Sequence, residues 1–333
     1  VDINQLWYGT HALRWVLWPL SWLYRMLIVI RVALYRFGAL RRVRLPVPVI
    51  IVGNITVGGS GKTPVVLWLV EQLRAAGWQP GIISRGYKGS ATTWPQQVRP
   101  DSDPGWVGDE PVLLAQRSGC PVAVGPDRVA AAQLILDQCN ILVGDDGLQH
   151  YALQRDFEIA VVDGERGLGN GLLLPAGPLR EPRQRLDRVG AVLINGGPVS
   201  IQGNRVVRGR LLPGNACQLA TGGTRRLEEF RGTAVHAVAG IGHPQRFFAM
   251  LEGLGLSVLS HPLADHAKIA VQDLAFADDR AVLMTEKDAV KARSLTVSDQ
   301  WWYVAVDFVL AEADAKQVMY AIEAAIGQPP LPR

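Results

Sequence analysis

Residues 53–64 read Gly-Asn-Ile-Thr-Val-Gly-Gly-Ser-Gly-Lys-Thr-Pro and follow directly on the apolar run 47–52. A strand, a glycine-rich turn and then Gly61-Lys62-Thr63 opening a helix is an arrangement that holds a triphosphate. Glycines let backbone N–H groups turn inward around phosphate oxygens, and the positive end of the new helix points at them. In such a loop Thr56, Val57, Gly58, Gly59, Ser60, Gly61, Lys62 and Thr63 form the nucleotide cradle. Lys62 reaches the β- and γ-phosphates, and the Thr63 hydroxyl ligates Mg²⁺. Thr56 stands where the commonest spacing has glycine. Gly58 and Gly59 supply the flexibility instead, as in the Gly-Gly-x-Gly-Lys-Thr variant of the loop.

Other groups could complete the chemistry. Asp145-Asp146-Gly147 follows a second apolar strand, where phosphate-loop proteins place an aspartate that holds Mg²⁺ directly or through water. Asp109 opens a helix after Gly108, a position that suits either an N-cap or a functional carboxylate. A carboxylate paired with imidazole can accept a proton from an attacking hydroxyl, and Asp265-His266 offers such a partner. Thr285-Glu286-Lys287-Asp288 resembles the guanine-reading motif of GTPases, but its lysine falls one place late.

These groups need a scaffold. Apolar runs at 47–52, 141–143 and 159–162, separated by helical patterns such as 64–76, imply a mostly parallel sheet covered on both faces. Ligands gather at the C-terminal ends of such strands, where the phosphate loop, residues 84–87, Asp145 and Asp163 all fall. Residues 164–182 form a long loop too rich in Gly and Pro for a helix, and long ordered loops are usually functional. A second alternation begins after Arg188 and ends in a helix near 311–326. The expected division is an arm at 1–46, a nucleotide lobe at 47–188, a second α/β lobe at 189–310 and a C-terminal helix and tail at 311–333.

Charge is concentrated at the N-terminus. Residues 1–50 hold seven arginines and one acid, so the chain's net +4 resides there and the remainder is slightly acidic. No nucleic-acid partner and no obligate protein partner is expected. Three widely spaced cysteines, with no Cys-x-x-Cys pair, argue against a disulfide framework or a zinc site. Residues 15–35 are rich in Trp, Leu and Ile, while Arg14, Arg25 and Arg36 recur every eleven residues and so keep to one side of a helix. Such a helix lies in the headgroup region with its arginines on an anionic membrane surface. A true span is the less favoured variant, and Pro19 should kink the helix or mark its start.

Eight runs in order make the chain resemble the tetraacyldisaccharide 4′-kinase family, the lipid A 4′-kinases of Gram-negative bacteria. They are residues 52–64, 84–87, 108–111, 145–150, 169–181, 239–244, 263–266 and 284–291. The resemblance implies an α/β fold with a phosphate-loop NTPase-like lobe and a smaller second lobe, behind an N-terminal membrane-associated helix. It also implies a kinase at the cytoplasmic face of the bacterial inner membrane. With ATP and Mg²⁺, that enzyme phosphorylates the 4′-hydroxyl of an acylated disaccharide 1-phosphate, giving lipid IVA. Carried over, Lys62 and Thr63 take the phosphate and metal roles, Asp145 and Asp146 flank the metal, and Asp109 and His266 form a base dyad. Tyr87, Arg180 and Glu181 match further active-site positions. Gly144 departs from the family pattern, which has Ser or Thr before the paired aspartates. The rival expectation is a membrane-associated regulatory phosphate-loop ATPase. Its signature lysine before the glycine pair is replaced here by Val57.

Overall fold

The structure, a computed structural model, describes residues 3–265 and 267–330. The arm folds as α1 (Ile3–Tyr8) and α2 (Leu13–Arg36). The body continues with β1 (Val49–Gly53), α3 (Lys62–Ala75), β2 (Pro80–Ser84), β3 (Gln96–Val98), α4 (Pro104–Val107), α5 (Asp109–Ser118), β4 (Val122–Val124), α6 (Arg128–Gln133), β5 (Ile141–Asp145), β6 (Phe157–Asp163) and β7 (Ala191–Asn195). There follow β8 (Val206–Gln218), β9 (Thr224–Arg225), β10 (Ala234–Ala239), α7 (Pro244–Gly253), β11 (Ser257–Pro262), β12 (Val282–Thr285), α8 (Glu286–Ala292), β13 (Trp301–Leu310) and α9 (Glu312–Ile326).

Among the described residues the strands form one sheet in the order β11-β10-β12-β13-β8-β7-β6-β1-β5-β2-β4-β3, with β9 at the side of β8. From β4 to β8 the pairing is parallel, and so it is from β11 to β13. The two runs meet at an antiparallel seam, β8 against β13, registered from Gly209↔Leu310 to Gln218↔Trp302. Only residues 206–209 of β8 pair with β7, so the rest of this long strand overhangs the C-terminal edge of the first run. Strands of the second run therefore point back toward it. Two C-terminal edges confront each other, and both present the loops where such sheets bind ligands.

The strands are buried on both faces, which is why β1, β5 and β7 read as unbroken apolar runs. One face of the first run packs α3, α5 and the C-terminal helix α9 through Leu69, Leu114 and Ile322. The other packs α6, with Tyr24 and Ile28 of the arm beside it. The second run has its own pair of cores, under α7 and under α8.

Several elements differ from the sequence expectation. The strand β8, the edge strand β11 and the helix α8 were not visible as periodic patterns. In β8 the breakers Gly209, Pro213 and Gly214 interrupt a stretch whose inner residues alternate with exposed ones. Pro19 lies within α2 and does not mark its start. The long 164–182 loop is irregular, as expected, and is tied down by the arm. Ser21 Oγ donates to Leu173 O (2.8 Å) and accepts from Ala176 N (3.2 Å), while Trp7 Nε1 donates to Pro175 O (3.1 Å).

Candidate active site

The phosphate loop joins β1 to α3 as the sequence implied. Gly61 takes φ +84°, a left-handed conformation, and a Cβ there would stand 2.3 Å from the Asn195 amide nitrogen. That amide donates to Ser60 O at 3.1 Å and braces the loop from the end of β7, two strands away. Residues 57–64 line a cleft of about 960 Å³ between the two C-terminal edges. Thr56 is apart from them. It is buried and forms an isolated bridge with Leu179, so it anchors the loop from behind.

Asp145 and Asp146 stand at the end of β5 across from this loop, in very different environments. Asp145 is 1% exposed and accepts one hydrogen bond, from Ser84 Oγ at 3.3 Å. Its Oδ1 has no hydrogen-bond partner among the described residues. Burial first, then the nearby Glu110 charge, push its carboxyl up to about 7. Burial also works against charge on Asp146, but Lys62 and Arg180 outweigh it and hold that carboxyl well below the usual range. Lys62 Nζ lies 3.7 Å from Asp146 Oδ1. Arg180 grips both oxygens, at 2.8 and 3.2 Å, and also donates to Asn54 Oδ1. A buried carboxylate oxygen with no partner, facing a phosphate loop, fits a hard divalent cation. Gly144 has a steric reason: a Cβ there would stand 2.5 Å from Ile51 Cδ1.

The opposite wall comes from the second run of strands, with α5 of the first run beside it. Asp109 is the first residue of α5, and Gly108 takes the N-cap position, so the capping expectation for Asp109 does not hold. Asp109 Oδ1 instead accepts from Glu110 N at 2.9 Å. Asp109 is nearly buried, and its neighbour Glu110 forms the cleft wall, together with Asp265, Glu286 and Lys287. His266, the expected dyad partner, lies outside the described residues. The Thr285–Asp288 stretch opens α8. Thr285 Oγ caps α8 by accepting from Asp288 N at 3.2 Å, and the fully buried Asp288 accepts from Gly240 N at 2.8 Å.

Of the remaining expected residues, Tyr87 lines the cleft and is half exposed. Glu181 is buried behind it, with Arg185 Nε 3.1 Å from its Oε2, and burial raises its carboxyl pKa. The structure adds Arg128 and Arg246, which no motif marked, and gives Arg85 and His150, from the runs 84–87 and 145–150, a common setting with Arg128. Arg128 is 6% exposed, with only long contacts to Pro126 O (3.4 Å) and Asp146 O (3.5 Å), and its Nε has no partner among the described residues. Burial, then Arg85, lower its pKa. His150 Nε2 is likewise buried without a partner, and burial followed by Arg128 and Arg155 pushes this imidazole down to about 4. Arg85 follows β2, Arg128 opens α6 and His150 follows β5, so no local spacing could reveal their grouping. Arg246 is similar, 3.5 Å from Asp163 and 3.2 Å from Asn195 O.

A phosphate loop faced by one low and one raised carboxyl, with an acid-and-lysine wall opposite, defines a phosphate-loop kinase. The family model for LpxK, tetraacyldisaccharide-1-P 4′-kinase, matches residues 13–325. The chain is 50% identical over 325 residues to the tetraacyldisaccharide 4′-kinase of Nitrosococcus oceani, covering 97% of this chain and 95% of that one. It is 55% identical over 295 residues to that of Alkalilimnicola ehrlichii, covering 88% and 86%. Its fold matches a crystal structure described as the "apo" form of LpxK from Aquifex aeolicus in complex with ATP. The TM-score is 0.77 at 29% identity, over 93% of this chain and 99% of that one. The chain belongs to the tetraacyldisaccharide 4′-kinase family.

Proposed function

We propose that this protein transfers the γ-phosphate of ATP to the 4′-hydroxyl of a tetraacyldisaccharide 1-phosphate, forming lipid IVA. The observation that carries the reading is the confrontation of two strand edges. One bears Lys62, Asp146 and Arg180, with Asp109–Glu110 beside them on α5, and Asp265 and Lys287 stand opposite. In this reading the amides of residues 57–61 and Lys62 hold the β- and γ-phosphates. Thr63, Asp145 and Asp146 would hold Mg²⁺, which when bound neutralises charge on the transferring phosphoryl group. Asp109, with His266, takes the proton from the 4′-hydroxyl as its oxygen bonds to the γ-phosphorus. Arg180 and Lys62 stabilise the charge that passes to the leaving β-phosphate oxygen as the β–γ bridge breaks.

Two further features suit an anionic lipid acceptor. Buried Arg128, with exposed Arg85 and half-buried His150 close by, forms a corner beside Asp146 that offers donors for the acceptor's 1-phosphate. The arm is the second. By length and composition α2 could cross a bilayer. Its middle, Ser21 and Tyr24, is however hydrogen-bonded to the 173–180 loop, which a crossing helix would drag into hydrocarbon. Trp15, Trp22, Met26 and Val29 on the other side are each more than half exposed. We therefore read α2 as lying in the plane of the cytoplasmic leaflet, the two lobes hanging beneath it.

The test is transfer of label from γ-labelled ATP to purified tetraacyldisaccharide 1-phosphate. Wild type should give one labelled product, and Lys62→Ala should lose more than about a hundredfold in kcat with unchanged melting. Arg128→Ala should raise the KM for the acceptor more than that for ATP. Acceptor-independent ATP hydrolysis at full rate would favour the regulatory ATPase and overturn the proposal.

A further inference from the structure

The motif that resembled a guanine-reading signature extends into α8, and that helix has a face the proposed mechanism leaves unused. Lys287 and Lys291, four residues apart, project from the same side of α8. Lys287 Nζ reaches Glu110 Oε1 at 3.1 Å and lies 3.9 Å from Asp265 Oδ1. Lys291 Nζ lies one turn deeper. It donates to Ala267 O at 3.1 Å, stands 2.7 Å from Asp288 Oδ1 and is 4.0 Å from Asp109 Oδ2. Its side chain is 12% exposed. Asp288, its partner on the same helix, is itself fixed by Gly240 N and by Thr285 Oγ (2.6 Å). One ammonium thus ties the start of α5 to the chain after β11, and through Asp288 it is linked to the turn after β10.

We infer that Lys291 is a positioning residue of the kinase reaction, holding the Asp109 carboxylate and the backbone at Ala267 in one fixed relation. This rests on reading Asp109 as the base. Three groups on three separate segments share the Lys291 ammonium. Without it, Asp109 would lose a cation within ion-pair range, and the chain at Ala267 would lose its tie to α8. Lys287 also acts on Asp109 through its charge, but it donates to Glu110, and the hydrogen bond to Ala267 O is made by Lys291. The order Asp-x-x-Lys within one helix turn also explains the motif: Asp288 orients Lys291, and Lys291 reaches across.

The experiment compares Lys291→Met, Lys291→Arg and Asp109→Asn in the full chain, with the soluble Lys291→Gln in reserve if the Met variant does not fold. Lys291→Met should lower kcat at least tenfold with both KM values within about twofold, since small misplacements of reacting groups are costly. The acid limb of its kcat profile should move to higher pH, by about half a unit or more, because a cation beside the carboxylate is gone. Lys291→Arg should keep most of the rate. Adding Asp288→Asn to Lys291→Met should restore melting temperature but not kcat. Recovery of kcat in that double variant, or an unmoved acid limb, would make Lys291 merely structural and overturn the inference. If Asp109→Asn keeps full kcat, the base assignment fails instead, whatever Lys291 does.

Discussion

Tyr24 of the N-terminal arm donates its hydroxyl to the backbone carbonyl of Arg180 at 3.1 Å, and the Arg180 guanidinium holds both oxygens of Asp146. Arg180 thus links the apolar helix to the carboxylate beside the phosphate loop, through its carbonyl at one end and its guanidinium at the other. Tyr24→Phe should lose about 1 kcal/mol of stability, the usual net worth of such a bond. It should lower kcat a few-fold while leaving vesicle binding unchanged. Denaturant melts, cosedimentation and initial rates on one preparation check all three. A rate unaffected by the change would show that Arg180 is held by its own loop alone.

His150 makes stability depend on acid. Its folded pKa, about 4, lies below the unfolded value near 6.5. The folded state therefore binds fewer protons than the unfolded one. The contribution is fully present above about pH 6.5 and is lost as pH falls toward 4. Wild type should weaken over that window more steeply than His150→Gln, as read by urea unfolding at pH 7 and pH 5. Inorganic phosphate should narrow the difference, since an anion against Arg128 and His150 favours the charged imidazole.

Gly144 and Ile51 exclude a side chain between them. Gly144→Ser should cost about 1–3 kcal/mol by overpacking. Adding Ile51→Val should recover part of that loss, because the clash falls on the terminal Cδ1 that valine lacks. Thermal unfolding of the two variants decides it. A stable single variant would mean that the strand shifts to make room.

Arg14, Arg25 and Arg36 lie along one border of the α2 face that packs on the body. Replacing all three with Gln should weaken binding to anionic vesicles by up to about 3 kcal/mol at low salt, or roughly a hundredfold. The effect should shrink as salt rises. Phosphorylation of a water-soluble acceptor analogue should survive. Equal vesicle binding by the triple variant would mean that apolar insertion by Trp15, Trp22 and their neighbours docks the enzyme unaided.

Much of the active site was legible because it is local. A phosphate loop needs particular residue types at consecutive positions, and backbone amides do its binding, so residues 57–63 and the Asp145-Asp146 pair could be read directly. The parallel strands β1, β5 and β6 were legible for a related reason: burial on both faces leaves an unbroken apolar run. The strand β8 was not, since its overhanging part is only half buried and carries Gly209, Pro213 and Gly214.

What the chain order could not contain is the seam. The antiparallel pairing of β8 with β13 joins residues about ninety apart, and only that pairing turns two C-terminal edges toward each other. From it follow the cleft and the reach of Lys291 from α8 to Asp109. Packing, likewise, sets the unlike protonation of Asp145 and Asp146, two identical adjacent residues. Desolvation acts on a carboxyl through its surroundings in space, and sequence neighbours share a backbone without sharing those surroundings. The sequence by itself determined which chemistry the protein carries. The tertiary structure decided which groups meet to perform it, because charge and burial act across space.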